Sequence, residues 1–112
     1  MDMVKIKRFD VFLVNLDPTI GSEIKKTRPA VIISPDSMNL SRLKTVIIAP
    51  MTTTIKDNFP TRVRTEFKDK KGHVALDQLR AIDRSRLIQK LGVLDKETQV
   101  NVLNILTIMF QK

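Results

Sequence analysis

Cysteine is absent from this 112-residue chain, so it holds no disulfide framework, no thiolate nucleophile and no cysteine metal site. That fits a reducing compartment. A single histidine, His73, supplies too few nitrogen ligands for a typical catalytic zinc site and excludes any mechanism that needs two histidines from one chain. Tyrosine and tryptophan are missing and only five phenylalanines are present, a thin stacking platform for a single-strand binder. The three glycines, Gly21, Gly72 and Gly92, match neither the dinucleotide nor the P-loop spacing. No G-x-S-x-G or S-x-x-K arrangement occurs, and no acidic ligands cluster for magnesium. The first residues lack the apolar run of a signal peptide and nothing approaches the ~18 residues of a membrane span, so no membrane association and a cytoplasmic location are expected.

What is present fits one globular domain over residues 1–112: 42% hydrophobic and 29% charged residues, without repeats or low-complexity stretches. Twenty Lys plus Arg against twelve Asp plus Glu leave a net charge of +8, which points toward a polyanionic partner. The basic residues run from Lys5 to Lys112 rather than forming a tail, and charge alone is equally consistent with a solvated surface.

Strand signals fill the first three quarters. Asp10 to Leu16 is apolar and β-branched and ends at the turn pair Asp17-Pro18. Thr19 to Thr27 reads as a long loop, of the kind that is often functional in a small domain. Pro29 to Ser34 and Lys44 to Pro50 are continuous apolar runs, as strands buried on both faces show, with a short helical turn from Pro35 to about Leu40 between them. Thr61 to Phe67 alternates, with Thr61, Val63, Thr65 and Phe67 on one face and Arg62, Arg64 and Glu66 on the other. Asp69-Lys70-Lys71-Gly72 reads as a hairpin turn, which leaves His73 beside it as an exposed turn neighbour. Segments from Leu79 to Ile82 and from Leu87 to Leu94, the latter broken at Gly92, complete a small antiparallel barrel. A terminal helix starts at the N-cap residue Asp95. Its Val102, Leu103, Ile105, Leu106, Met109 and Phe110 form an arc of roughly 160° that should pack on the barrel, while Val100 and Ile108 fall opposite and suit a dimer contact.

This inventory suits a reaction in which the substrate brings its own nucleophile. RNA does so: its 2′-hydroxyl attacks the adjacent phosphate once it is aligned and the developing charge is stabilised. The segments Asn15-Leu16-Asp17-Pro18-Thr19-Ile20-Gly21-Ser22-Glu23 and Thr27-Arg28-Pro29-Ala30-Val31-Ile32-Ile33-Ser34-Pro35 resemble the MazF/PemK family of toxin endoribonucleases. Thr45 to Thr52, Pro60 to Val63, Asp77 to Asp83 and Arg86-Leu87 keep the family's order and spacing, so the likeness runs from about Lys7 into the terminal helix.

The resemblance implies an SH3-like antiparallel barrel with a C-terminal helix, a homodimer, and metal-independent, cofactor-free cleavage of single-stranded RNA to a 2′,3′-cyclic phosphate and a 5′-hydroxyl. It also implies control by a MazE-like antitoxin with an acidic, flexible tail. By position, Arg28 and Thr52 correspond to the family's active-site arginine and threonine, and Ser22, Glu23, Thr53 and Gln78 to RNA contacts. Lys25, Lys26, Arg62 and Arg64 are candidate phosphate contacts. Asp77 stands where some PemK-type members place a proton-transfer carboxylate, but Ala75 and Ser22 replace their arginine and histidine, which makes this chain more MazF-like. Phe9 replaces the family's usual glycine, and is accommodated only if its backbone avoids positive φ. Two rival classes stand beside the nuclease: a CcdB-like toxin that binds a gyrase subunit without catalysis, and a plain RNA-binding regulator.

Overall fold

A computed structural model describes residues 5–55 and 58–112. Among these residues seven strands appear in the order β1 (Asp10–Asn15), β2 (Thr27–Ile32), β3 (Thr45–Thr52), β4 (Arg62–Phe67), β5 (Lys70–Ala75), β6 (Arg80–Asp83) and β7 (Leu87–Val93). A single helical turn, α1 (Asp36–Asn39), links β2 to β3, and α2 (Lys96–Phe110) closes the chain. Hydrogen bonding runs β4-β5-β3-β2-β1-β7, with β6 on β3, and every pair is antiparallel. The sheet curls into an open barrel. At its seam the Phe67 ring of β4 covers Gly92 of β7 so closely that a Cβ there would sit 3.1 Å from the ring.

Alternation along the inner strands builds two cores. In β3, Val46 and Ile48 face a cluster with Phe12, Val14, Leu16, Ala30, Ile32 and Ile82. Ala49 and Met51 face a second cluster with Val11, Val31, Val63, Val74 and Leu76, onto which α2 packs. The apolar runs of β2 and β3 are continuous because both of their faces are buried. On β4, by contrast, Val63 is buried while Arg64 and Glu66 are exposed.

Helix α2 begins at Asp95, whose carboxylate accepts from Thr98 N at 3.1 Å and from Thr98 Oγ1 at 2.6 Å. Those bonds, the hydroxyl first, hold its pKa below the ordinary carboxylate value against a modest burial effect. Thr98 also meets Thr65 Oγ1 at 3.2 Å and so ties the helix to β4. The packed stripe is narrower than the sequence arc. Val102 is fully buried and Ile105, Leu106 and Met109 pack on the core, but Leu103 is 40% and Phe110 73% exposed. The strand chiefly covered by α2 is β4, and one strand is too narrow to take both flanks.

Three local expectations are corrected. The β4–β5 turn is the two-residue Lys68-Asp69, both at positive φ, so Phe67 pairs directly with Lys70. Gly72 therefore lies inside β5, where a Cβ would be 2.2 Å from Thr52 O, and its role is close approach of strands rather than turning. His73 moves with it into the strand and is 1% exposed. Strand β7 is not broken at Gly92, since the register steps from Val11↔Gly92 to Phe12↔Lys90 and leaves Leu91 as a bulge.

Phe9 does adopt positive φ, 75°. The left-handed backbone costs ~1–2 kcal/mol, and the buried ring outweighs it, because truncating a core Phe costs ~3–5 kcal/mol. Phe9 N donates to Ile32 O at 2.7 Å and Leu94 N donates to Phe9 O at 2.9 Å, so the same residue bridges β2 to the end of β7. Phe9→Gly should therefore destabilise the protein by about 2 kcal/mol despite relieving the backbone. Urea denaturation checks this, and an unchanged or higher midpoint would show that backbone strain dominates.

Candidate active site

Strand register explains why residues far apart in sequence meet. Ala30 pairs with Pro50 at the end of the β2–β3 ladder, and the same register carried two residues further sets Arg28 across from Thr52. Thr52 pairs with His73 on β5, and His73 pairs with Arg64 on β4. Directly opposed residues in a sheet share a face, so Arg28, Thr52, His73 and Arg64 form one transverse row over four strands.

Arg28 Nε donates to Lys25 O at 2.8 Å, which ties the strand to the loop before it. Among the described residues the guanidinium has no other hydrogen bond. Thr52 Oγ1 accepts from Thr54 N at 3.1 Å, a local turn that fixes the hydroxyl oxygen and leaves its proton to donate elsewhere. A pocket of about 250 Å³ opens beside this row. Met51, Phe67 and Leu91 form its apolar wall, and Arg28, Lys68, Lys70 and Lys71 its charged residues, with Thr52, Thr53 and His73 between them. Among the described residues no carboxylate lines it, so these side chains favour an anion over a cation. Among the described residues no three His, Asp or Glu side chains converge as a metal cage.

Sequence reasoning passed over Lys68, Lys70 and Lys71 and set His73 aside. A lysine run beside a glycine was the available signal, but only the strand register brings it to Arg28.

The other candidates gather in a separate cleft lined by Ser22, Glu23, Asp77, Gln78, Leu79 and Arg80. Glu23 Oε1 accepts from Ile20 N at 2.7 Å, so that carboxylate shapes its own loop. Gln78 Oε1 accepts from Ile24 N at 2.8 Å and its Nε2 donates to Ser22 O at 3.2 Å, which ties both ends of the amide to the loop backbone. Lys25 and Lys26 are exposed, and Lys26, at φ 73°, donates its backbone N–H to Asp17 Oδ1 at 3.1 Å.

Asp77 is engaged with Arg62, Nε to Oδ1 at 2.7 Å and Nη2 to Oδ2 at 3.0 Å, and also accepts from Thr61 Oγ1. Partial burial pushes its pKa up, but the Arg62 hydrogen bonds, its own backbone N–H, the Arg62 charge and Thr61 together hold it below the ordinary 3.8. Arg62 reaches it from β4, where it lies opposite Ala75, and the guanidinium also sits 5.6 Å from the Phe59 ring. Arg62 is thus spent on a carboxylate rather than offered to phosphate.

Residues 7–110 match the family model described as PemK-like, MazF-like toxin of type II toxin-antitoxin system. The curated endoribonuclease MazF of Staphylococcus epidermidis is 41% identical over 108 residues, covering 92% of this chain and 89% of that protein. Among solved structures, MazF from Deinococcus radiodurans superposes with a TM-score of 0.80 at 23% identity, covering 96% of this chain and 97% of the other. A mycobacterial endoribonuclease solved with its cognate antitoxin gives 0.78 at 21% identity, covering 96% and 98%. These structural likenesses establish the fold, a mainly β sheet curled into a half-barrel with a C-terminal helix.

Because Asp77 has a lowered pKa in the fold, its pairing with Arg62 contributes stability in full above the unfolded carboxylate value, and that contribution is lost as pH falls through the lower folded value. Arg62→Ala should cost ~1 kcal/mol at neutral pH, the scale of a partly exposed pair, and the difference from the parent should shrink below about pH 4. Thermal denaturation of both proteins across that range checks the sign, and a gap that stays constant with pH would exclude the pair as its source.

Proposed function

Given that this chain belongs to the PemK-like, MazF-like toxins of type II toxin–antitoxin systems and is an endoribonuclease, we propose that it cuts single-stranded RNA at the Arg28–Thr52 row. The observation that carries this reading is that Arg28 and Thr52 line the same lysine-rimmed pocket, in which no carboxylate stands among the described residues. The scissile phosphate lies against the Arg28 guanidinium. Its two Nη groups form a fork that stabilises the charge growing on the phosphoryl oxygens as the 2′-hydroxyl attacks. The Thr52 hydroxyl supplies a further hydrogen bond there, with Thr53 beside it. Lys68, Lys70 and Lys71 hold neighbouring phosphates, and Ser22, Glu23, Lys25 and Lys26 border the RNA path along the β1–β2 loop.

The products are a 2′,3′-cyclic phosphate and a 5′-hydroxyl, formed in the cytoplasm without a metal ion, since alignment and charge stabilisation replace a Lewis acid. Asp77 keeps its place as the partner of Arg62. The gyrase-binding and plain RNA-binding alternatives have no support in the family match.

Partners follow from the same surface. An acidic, flexible MazE-like antitoxin segment would lie on the lysine rim and exclude RNA by charge and by occupancy. The exposed Val100, Leu103, Ile108 and Phe110 of α2 supply apolar area for a second copy of the chain.

Arg28→Ala should slow cleavage by ~10²–10³, the usual cost of one transition-state donor, while the fold is kept. Cleavage of a long RNA by the parent should continue in EDTA and leave cyclic phosphate ends. Parent-like turnover in Arg28→Ala would remove the assignment, and loss of activity in EDTA would remove the metal-free route. Sedimentation at micromolar concentration should give twice the 12.8 kDa chain mass, and a monomer would exclude the helix-borne contact.

A further inference from the structure

A guanidinium stabilises a growing charge best when its donors are set in place before the phosphate arrives. Strand β2 alone does not set them for Arg28. The β1–β2 ladder ends at Asn15↔Thr27, and Lys25, whose carbonyl receives Arg28 Nε at 2.8 Å, lies beyond it in the loop. Side chains hold the backbone on both sides of that carbonyl. On one side Ile24 N donates to Gln78 Oε1 at 2.8 Å, and Gln78 Nε2 donates to Ser22 O at 3.2 Å. On the other, Lys26 N donates to Asp17 Oδ1 at 3.1 Å, and Leu16 N donates to Lys26 O at 3.0 Å. A backbone N–H only donates and a carbonyl only accepts, so the loop dictates both ends of the Gln78 amide. Gln78 is itself anchored: it closes the helical turn Leu76–Gln78, which starts at a buried leucine, and just beyond it Arg80 pairs with Ile48 of β3. It lines the cleft with Ser22 and Glu23 and not the Arg28 pocket, so its link to Arg28 runs through the loop.

We propose that Gln78 is a positioning residue for RNA cleavage: it holds residues 22–24 of the β1–β2 loop, thereby fixes Lys25 O, and through that carbonyl orients the Arg28 guanidinium. The inference rests on the nuclease reading above. The Nε–H bond lies in the guanidinium plane, so directing it at Lys25 O limits where the two Nη groups point. Loss of the amide releases Ser22 O and Ile24 N together and leaves Lys25 O held from the Lys26 side alone. The effect of Gln78 on the rate therefore vanishes once Arg28 is gone, as the effect of a side chain that itself touches RNA would not.

The test measures kcat and KM for cleavage of a long RNA by the parent, Gln78→Leu, Arg28→Ala and the double variant, each confirmed as folded by its thermal transition. The NMR signal of Arg28 Nε–H, assigned by its loss in Arg28→Ala, is followed in the same proteins without RNA. Gln78→Leu, which removes both hydrogen bonds, should lower kcat about tenfold with KM within about threefold, the result of a displaced donor. Added to Arg28→Ala it should cost nothing further, since both act through one guanidinium. The Nε–H signal should shift in Gln78→Leu and exchange with water faster. Should Gln78→Leu fail to fold, hydrogen exchange in the parent decides: Ile24 N–H and Arg28 Nε–H protected together support the link, and a protected Ile24 beside a freely exchanging Arg28 overturns it. Unchanged kcat in folded Gln78→Leu, the same fold loss in the Arg28→Ala background, or an Nε–H signal that stays as in the parent also overturns it. A parent that leaves RNA uncut would instead remove the nuclease reading, while the Nε–H signal would still decide the link from Gln78 to Arg28.

Discussion

Strand β3 is buried on both faces and hydrogen-bonded along both edges, to β2 on one side and to β6 and then β5 on the other. Its side chains alternate between the two cores, so a slip of one residue would send Val46 and Ile48 into the wrong cluster and Ala49 and Met51 into the other. The register is therefore locked by apolar packing well away from the site. Thr52 stands at the end of this strand and inherits its facing from it. Arg28 is located in turn by β2, which pairs with this strand from Ala30 to Ile32, so the candidate site is positioned by hydrophobic burial rather than by contacts among the polar groups themselves.

The excess of positive charge divides into two populations. Arg8, Arg80, Arg84 and Arg86 donate to the backbone carbonyls of Ile33, Leu16, Leu43 and Met38, and Asn15 and Asp17, bracing the loops around β1, β2 and β3. Arg62 is committed to Asp77. Five of the eight arginines are thus structural, as suits a planar group with several fixed donors. Arg28 is likewise tied through Nε, to Lys25 O, but it lines the pocket, and the lysines around it carry their charge on flexible stems suited to a moving polyanion. Net charge by itself pointed toward nucleic acid for a partly unrelated reason.

The cleft holding Ser22, Glu23 and Gln78 is built differently from the Arg28 pocket. Gln78 straps the β1–β2 loop from a position 54 residues beyond Ile24, and Lys25 at the end of that loop receives the Arg28 side chain. Loop geometry and guanidinium orientation are therefore joined, and residues that read as RNA contacts in the sequence also shape the wall that RNA would meet.

Much was legible in the sequence because it depends on local chemistry. The apolar runs of β2 and β3, the alternation of β4 and the Asp95 cap follow from residue type and spacing, whereas Arg28 and Thr52 stand out only through the family resemblance. What only the tertiary structure decided concerns residues whose meaning depends on a distant partner. Gly72 reads as a turn until Thr52 O is found against it, and His73 reads as exposed for the same reason. Phe9 tolerates positive φ because a core receives its ring, and Leu103 and Phe110 stay exposed because the strand beneath α2 is narrow. Asp77 is neutralised by Arg62, whose arrival opposite Ala75 is a fact of strand register. Spacing along the chain specifies which face a side chain takes, whereas the neighbour across that face is set by which strands pair and in what register.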